Sequence, residues 1–166
     1  MLRRVTLLAA VVAVISLVVA GAAWAATING TNGPDNLSGT SDDDTIHGYG
    51  GSDTLKGLAG YDDLYGNTGN DTLYGNVGQD NLYGSYGNDT EYGGRSNDYV
   101  AGGPGDDLLY GNLGDDVVNG YDGESGNDLI SGGAGDDDVC YGDEGDTFIG
   151  CEAVLNYNPN DPPPVN

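Results

Sequence analysis

The stretch that decides the fold is GNTGNDTLYGNVGQDNLYG, residues 66–84. It repeats with a period of nine, because glycine returns at Gly66, Gly75 and Gly84 and aspartate at Asp71 and Asp80. Each period holds one leucine and several glycines, so apolar bulk is scarce. A unit of nine residues cannot bury a core by itself, and strict repetition of such a unit indicates a solenoid in which neighbouring units stack.

The same period fills residues 30–149 as thirteen units if residues 120–122 are treated as an insertion. The register then resumes at Gly123, and Tyr141 is the first residue of the last unit. With Gly30 as position one, position six is aspartate in every unit. These aspartates are Asp35, Asp44, Asp53, Asp62, Asp71, Asp80, Asp89, Asp98, Asp107, Asp116, Asp128, Asp137 and Asp146.

Position eight is apolar in twelve of the units, and the exception is Glu91. The twelve are Leu37, Ile46, Leu55, Leu64, Leu73, Leu82, Val100, Leu109, Val118, Ile130, Val139 and Phe148. Positions seven to nine predict a very short strand with the middle side chain turned inward. The first six positions, rich in glycine, predict a turn. Two units then form one flattened coil, and Ile28 marks a half-unit at the start. The predicted fold is all-β, with no helix.

The aspartates predict a metal. In a coil of two units, position-six carboxylates from successive coils lie about 4.8 Å apart and repel each other. Such columns need a cation, and calcium takes six to eight oxygen ligands in tolerant geometry. Magnesium demands stricter octahedral geometry, and zinc prefers His and Cys. Aspartate is also a common turn former, but thirteen aspartates in one register favour calcium binding.

Two units show a resemblance to a known family most clearly, residues 66–74 and 132–140. They resemble the RTX, or haemolysin-type, calcium-binding nonapeptide Gly-Gly-x-Gly-x-Asp-x-U-x. The resemblance implies a parallel β-roll that binds calcium between successive turns and that folds when calcium arrives. Pairing each position-six aspartate with the one two units later gives at most about eleven bridging sites. Position-six aspartates and turn carbonyls would be the ligands. The turn glycines at these sites would be Gly48, Gly51, Gly57, Gly60, Gly66, Gly69, Gly75, Gly78, Gly84, Gly87, Gly102, Gly105, Gly111, Gly114, Gly123, Gly126, Gly132 and Gly135.

Charge and the two ends of the chain indicate export. The 27 acidic residues against 4 basic ones give a net charge of −23, which excludes nucleic acid and anionic lipid as partners and attracts cations. Residues 1–25 are basic, then apolar, and end in Ala-Trp-Ala, which is typical of a cleaved signal peptide; an uncleaved anchor is the alternative. We therefore expect a secreted protein. Cys140 and Cys151 are the only cysteines, so their intramolecular disulfide pairing is unique; an intermolecular bond or a metal site is the alternative.

The predicted domain organisation is a signal peptide (1–25), the roll (26–149), a C-terminal cap with the disulfide (150–157) and a disordered Pro-rich tail (158–166). Glu91 is either a distinct site or a tolerated defect, turned outward or paired with Arg95. Outward tyrosines are expected to stack, Tyr74, Tyr92 and Tyr110 on one face and Tyr65 and Tyr83 on the other.

Catalysis is not expected. The single His excludes a His-Glu-x-x-His zinc site, and no Gly-x-Ser-x-Gly motif occurs. The predicted function is that of a secreted, monomeric calcium-binding repeat protein whose folding is coupled to calcium. The alternative is a calcium-rigidified adhesion or interaction module that contacts cell walls or glycans through its tyrosine faces.

Overall fold

The computed structural model describes residues 25–123 and 127–156, and every regular element in these ranges is a β-strand. In this part of the chain there is no helix that could cross a membrane. In chain order the strands are β1 (Thr27–Asn29), β2 (Asn36–Ser38), β3 (Thr45–Gly50), β4 (Thr54–Ala59), β5 (Asp63–Thr68), β6 (Thr72–Val77), β7 (Asn81–Tyr86), β8 (Thr90–Arg95), β9 (Tyr99–Ala101), β10 (Leu108–Leu113), β11 (Val117–Asn119), β12 (Leu129–Ala134), β13 (Val139–Gly142), β14 (Thr147–Ile149) and β15 (Ala153–Asn156).

The strands form two parallel sheets, one of the eight odd-numbered strands and one of the seven even-numbered strands. Consecutive strands therefore alternate between the sheets, and each strand pairs with the strand one full coil later. Leu64 pairs with Leu82 and Leu55 with Leu73, a separation of two nine-residue units. This arrangement confirms the predicted parallel β-roll with two units per coil.

Most strands are longer than the sequence predicted. β6 begins at position seven with Thr72 and continues through Gly75 to Val77, position three of the next unit. The extension is possible because position two takes a left-handed conformation inside the strand: φ is 75° at Asn67 and 79° at Asn76. Asparagine tolerates this region better than most residues, so it replaces the second glycine of the repeat without loss of the fold.

The core is a single column of inward side chains from both sheets. Leu64, Leu73 and Leu82 are fully buried, as position eight predicts. Glu91 also points inward and is fully buried, whereas Arg95 is exposed. The expectation that Glu91 turns outward or pairs with Arg95 is therefore wrong. Its sheet neighbours at the same level are leucines of β6 and β10, and the buried apolar residues form separate clusters before and after it.

The predicted register is wrong at two places in the last quarter of the roll. The three extra residues lie inside the turn after Gly120, because a Cβ added at Gly120 would lie 2.8 Å from Asp128 Oδ2, whereas one added at Gly123 would meet open space. Further on, Cys140 rather than Val139 is fully buried. The unit that begins at Gly132 is thus one residue longer than nine.

The following unit is one residue shorter and begins at Gly142, not at Tyr141. A Cβ added at Gly142 would lie 2.6 Å from Asp146 Oδ2, the contact that marks position one elsewhere. The insertion and the deletion cancel, so Phe148 returns to the predicted register and pairs with Ile130.

The C-terminal end of the described roll is closed by a covalent link. Cys140 and Cys151 form the predicted disulfide, with their Cα atoms 6.0 Å apart. β15 then adds a strand to the odd-numbered sheet beside β13. The predicted signal peptide, apart from its last residue, the predicted tail and Gly126 lie outside the described residues.

Candidate calcium sites

Position-six carboxylates form two rows along the edges of the roll. In each row the backbone N–H of one aspartate donates to Oδ1 of the aspartate one coil later; the N–H of Asp53 donates to Asp71 Oδ1 at 2.8 Å, and that of Asp71 to Asp89 Oδ1 at 2.7 Å. One row contains Asp35, Asp53, Asp71, Asp89, Asp107, Asp128 and Asp146. The other contains Asp44, Asp62, Asp80, Asp98, Asp116 and Asp138.

The structure places Asp138, and not Asp137, in the second row. Asp138 is fully buried and its Oδ1 accepts the N–H of Asp116 at 2.8 Å, whereas Asp137 is exposed. The assignment of Asp137 to position six is therefore corrected by one residue, for the reason given above: the unit that contains it is one residue longer.

The second carboxylate oxygen has no partner in most of these residues. Oδ2 is buried without a hydrogen bond in Asp53, Asp62, Asp71, Asp80, Asp89, Asp98, Asp107, Asp116, Asp128 and Asp138. A buried carboxylate oxygen that accepts no hydrogen bond is costly. Ten such oxygens in two regular rows indicate that both edges are suited to bind cations.

Seven of these oxygens share the space at position one with a glycine carbonyl of the next coil. They belong to Asp53, Asp62, Asp71, Asp80, Asp98, Asp116 and Asp138. A Cβ added at Gly66 would lie 2.5 Å from Asp71 Oδ2 and 2.8 Å from the Gly84 carbonyl oxygen. The same contacts recur at Gly93, 2.6 Å from Asp98 Oδ2 and 2.8 Å from the carbonyl of the next coil. Position one must be glycine because any side chain there would fill the space that the two oxygens share.

The terminal members of the rows differ. Oδ2 of Asp35 accepts the N–H and the hydroxyl of Thr31 at 2.6 and 2.9 Å, and Oδ2 of Asp44 accepts the N–H of Thr40 at 2.5 Å. At the other end, Asp146 Oδ2 accepts the N–H of Asp143 at 2.6 Å. These three predicted ligands therefore have hydrogen-bond partners within their own turns.

Burial raises the pKa of the carboxyls in the interior of the rows. It raises the pKa of Asp98 and Asp107 to about 8, that of Asp62 and Asp128 to about 7, and that of Asp80, Asp89 and Asp116 to about 6. Loss of hydration is the main cause, and for most of them neighbouring carboxylates in the row add to it. Hydrogen bonds from the preceding coil act in the opposite direction. Without a cation, Asp98 and Asp107 therefore favour the protonated form at neutral pH, and every carboxyl of this set ionises at a higher pH than a hydrated aspartate.

The donor set fits calcium. In the part of the chain that the structure describes, no three His, Cys, Asp or Glu side chains converge on one point. A cation between two coils must therefore combine carboxylates with main-chain carbonyls, a mixture of hard oxygens that suits calcium and its variable geometry. Zinc, which prefers nitrogen and sulfur ligands, fits this set poorly.

The chain matches the model of the RTX calcium-binding nonapeptide repeat in four copies, at residues 29–64, 62–91, 92–124 and 121–149. The chain belongs to this family. The matched ranges span the described coils almost completely, and RTX repeats bind calcium. A comparison with curated proteins gives no match.

Sequence reasoning missed a second ladder at position five. The N–H of Asn88 donates to Asn70 Oδ1 at 3.2 Å, and the N–H of Asp106 donates to Asn88 Oδ1 at 3.3 Å. On the other edge, the N–H of Asp115 donates to Asn97 Oδ1 at 3.1 Å. These bonds run in the opposite direction to those of position six. The signal was present as frequent Asn and Asp at position five, which the family motif leaves open.

The tyrosines stack as predicted. Tyr74, Tyr92 and Tyr110 form a ladder with ring centroids 5.1 Å apart, and Tyr65 stacks on Tyr83 at 5.0 Å on the other face. The rings lie nearly parallel, with interplanar angles of 6–7°. Each inner ring therefore directs its faces at its neighbours, and the ladder stabilises pairing between coils.

Proposed function

We propose that this protein is a secreted RTX β-roll in which calcium binding and folding are one event. The observation that carries the proposal is the set of ten buried Oδ2 atoms without partners, seven of which share the space at position one with a main-chain carbonyl. Calcium bound there would neutralise the rows, satisfy both kinds of oxygen and link successive coils. The carboxylates Asp53, Asp62, Asp71, Asp80, Asp89, Asp98, Asp107, Asp116, Asp128 and Asp138 are the proposed ligands.

Coupling to folding follows from what the metal-free roll would contain. Its core has one large apolar side chain per nine residues, and its edges carry stacked carboxyls that resist ionisation at neutral pH. An unfolded chain would hydrate and separate these charges. Because the ligands of each site come from two coils, the site exists only in the folded chain, so its binding free energy is also folding free energy.

The proposal of secretion rests on two features. Residues 1–25 have the layout of a signal peptide, and the Cys140–Cys151 disulfide suits an oxidising compartment. Extracellular calcium would then start folding only after export. We propose a monomer, and a role without catalysis. We assign the tyrosine ladders to sheet stabilisation rather than to glycan contact, because stacking covers the ring faces on which a sugar would pack.

Far-UV circular dichroism during a calcium titration tests this function, with magnesium at equal concentration as the control. A cooperative change from coil to β-structure with calcium, and none with magnesium, is the expected result. A β-spectrum already complete in chelator would overturn the coupling to folding. Absence of calcium binding by equilibrium dialysis would overturn the function itself.

A further inference from the structure

The segment after the last nonapeptide contains a carboxylate at a position that the repeat does not explain. The N–H of Asp138 donates to Oε2 of Glu152 at 2.8 Å. In every earlier coil of this row, the same N–H donates to Oδ1 of the next position-six aspartate, as that of Asp98 does to Asp116 at 2.8 Å. Glu152 thus takes the place of the next aspartate at the end of the row.

The oxygens beside Glu152 are arranged as in the nonapeptide sites. Asp138 Oδ2 is buried without a hydrogen-bond partner, and Asp138 as a whole is fully buried. A Cβ added at Gly132 would lie 2.8 Å from Asp138 Oδ2 and would also collide with the Gly150 carbonyl oxygen. A carboxylate oxygen and a carbonyl therefore share a space here as they do at Gly66, although Gly150 belongs to no nonapeptide.

The spacing in this turn differs from that of the repeat. Gly66 and Asp71 are separated by five positions, but Gly150 and Glu152 by only two. The shorter turn is offset by the longer glutamate side chain and by main-chain bonds, since the N–H groups of Glu152 and Ala153 both donate to the Asp138 carbonyl at 3.1 Å.

The disulfide fixes the two carboxylates relative to each other. Cys140 follows Asp138 by two residues, and Cys151 directly precedes Glu152. The link therefore joins the two strands of chain that supply the two side chains. Without it, only non-covalent contacts would hold the short turn against β13.

We propose that Asp138, the Gly150 carbonyl and Glu152 form a terminal calcium site that depends on the Cys140–Cys151 disulfide. The site rests on the proposed function, because it uses the same pairing of carboxylate and carbonyl. It gives the last of the proposed sites a ligand outside the nonapeptides, Glu152, and makes occupancy of that site sensitive to reduction of the protein. The ligand is a divalent cation of calcium's size and preference for oxygen.

The test counts calcium ions per chain by native mass spectrometry on the folded species of the purified protein, and measures their affinities by isothermal titration calorimetry. Glu152→Gln keeps an oxygen that can accept the Asp138 N–H but removes the charge. Glu144→Gln is the matched control, because Glu144 is an exposed glutamate in the neighbouring turn. A third variant, Cys140→Ser with Cys151→Ser, removes the covalent link and leaves every carboxylate in place.

The expected result is one ion fewer, or one site weakened at least tenfold, in Glu152→Gln and in the double cysteine variant, with no change in Glu144→Gln. An unchanged count and unchanged affinities in Glu152→Gln, or the loss of more than one ion, would overturn the terminal site. A double cysteine variant with the wild-type count would overturn its dependence on the disulfide. A wild-type protein that binds no calcium would instead overturn the proposed function.

Discussion

Replacement of Asp80 by asparagine should change stability in opposite directions with and without calcium. Asp80 is 1 % exposed, and its Oδ1 accepts the N–H of Asp62 at 3.0 Å. Asparagine keeps that acceptor. Its amide group replaces Oδ2, which faces the carbonyl oxygen of Gly93, so the amide can donate a hydrogen bond where the carboxylate had no partner.

The magnitude follows from the pKa. Burial raises the pKa of Asp80 from 3.8 to about 6 in the metal-free roll. A difference of about two units corresponds to about 3 kcal/mol at pH 8, where the carboxyl must ionise in both folded and unfolded chains. Solvent screening at the edge of the roll lowers this to about 2 kcal/mol. In chelator at pH 8, Asp80→Asn should therefore raise the free energy of unfolding by about 2 kcal/mol.

With saturating calcium the sign reverses, because the variant lacks a charged ligand and gains less stability from the metal. Far-UV circular dichroism during urea unfolding, in chelator and in calcium, measures both values; trimethylamine N-oxide replaces urea if the chelated protein is already unfolded. Asp137→Asn is the control, since Asp137 is exposed and outside the rows, and it should change neither value. A loss of stability in chelator would refute the reasoning, because Asp80 would then be a structural acceptor and not a charge in need of a cation.

Four further predictions concern other features. Glu91→Leu should raise the free energy of unfolding by about 2 kcal/mol in urea titrations. The leucine replaces a buried carboxyl without hydrogen-bond partners and continues the apolar column. A lower free energy of unfolding would show that the carboxyl has a stabilising partner. In chelator, the free energy of unfolding should fall between pH 4 and 8 by about 1.4 kcal/mol per pH unit for each carboxyl protonated only in the folded state, because folded pKa values of about 6 to 8 exceed the unfolded ones. Titrations with trimethylamine N-oxide, which folds a chain that is unfolded in chelator, measure this, and a rise would contradict it. In equilibrium dialysis, Asp138→Ala should bind less calcium than the wild-type protein, and Asp137→Ala should bind the same amount. The opposite result would show that Asp137 is the position-six ligand and that the unit has nine residues. Gly66→Ala should weaken calcium binding, measured by calorimetry, far more than Gly33→Ala does. Gly33→Ala is the control, because a Cβ there would approach no atom closer than 3.9 Å. Equal effects of the two substitutions would show that the space beside Gly66 holds no ion.

The sequence predicts the coil wherever the residue types of a unit permit only one register. A glycine followed five residues later by aspartate and seven later by an apolar residue permits one register, as in residues 66–74. The register fails where neighbours are chemically equivalent. Asp136, Asp137 and Asp138 are identical, and Val139 and Cys140 both suit the core, so spacing alone could not locate the extra residue.

Other features depend on three-dimensional neighbours that a linear pattern does not contain. Glu152 was missed because its spacing from Gly150 differs from that of the repeat, and only the disulfide and the hydrogen bond from Asp138 reveal its place. Spacing alone does not locate the three extra residues, because Gly120 and Gly123 both fit position one; only the closeness of Gly120 to Asp128 Oδ2 in the structure decides between them. The period assigns Glu91 to the inward position eight, but the cost of burying a carboxylate favours an outward side chain; only the structure shows that Glu91 is fully buried.

The most direct test of the account is anomalous diffraction from crystals grown in calcium. The account predicts a calcium peak between Asp71 Oδ2 and the Gly84 carbonyl oxygen, repeated along both edges of the roll at the other carboxylates without partners. Edges without such peaks, with carboxyls that share protons or bind only water in calcium-saturated crystals, would contradict the claim that calcium completes this fold.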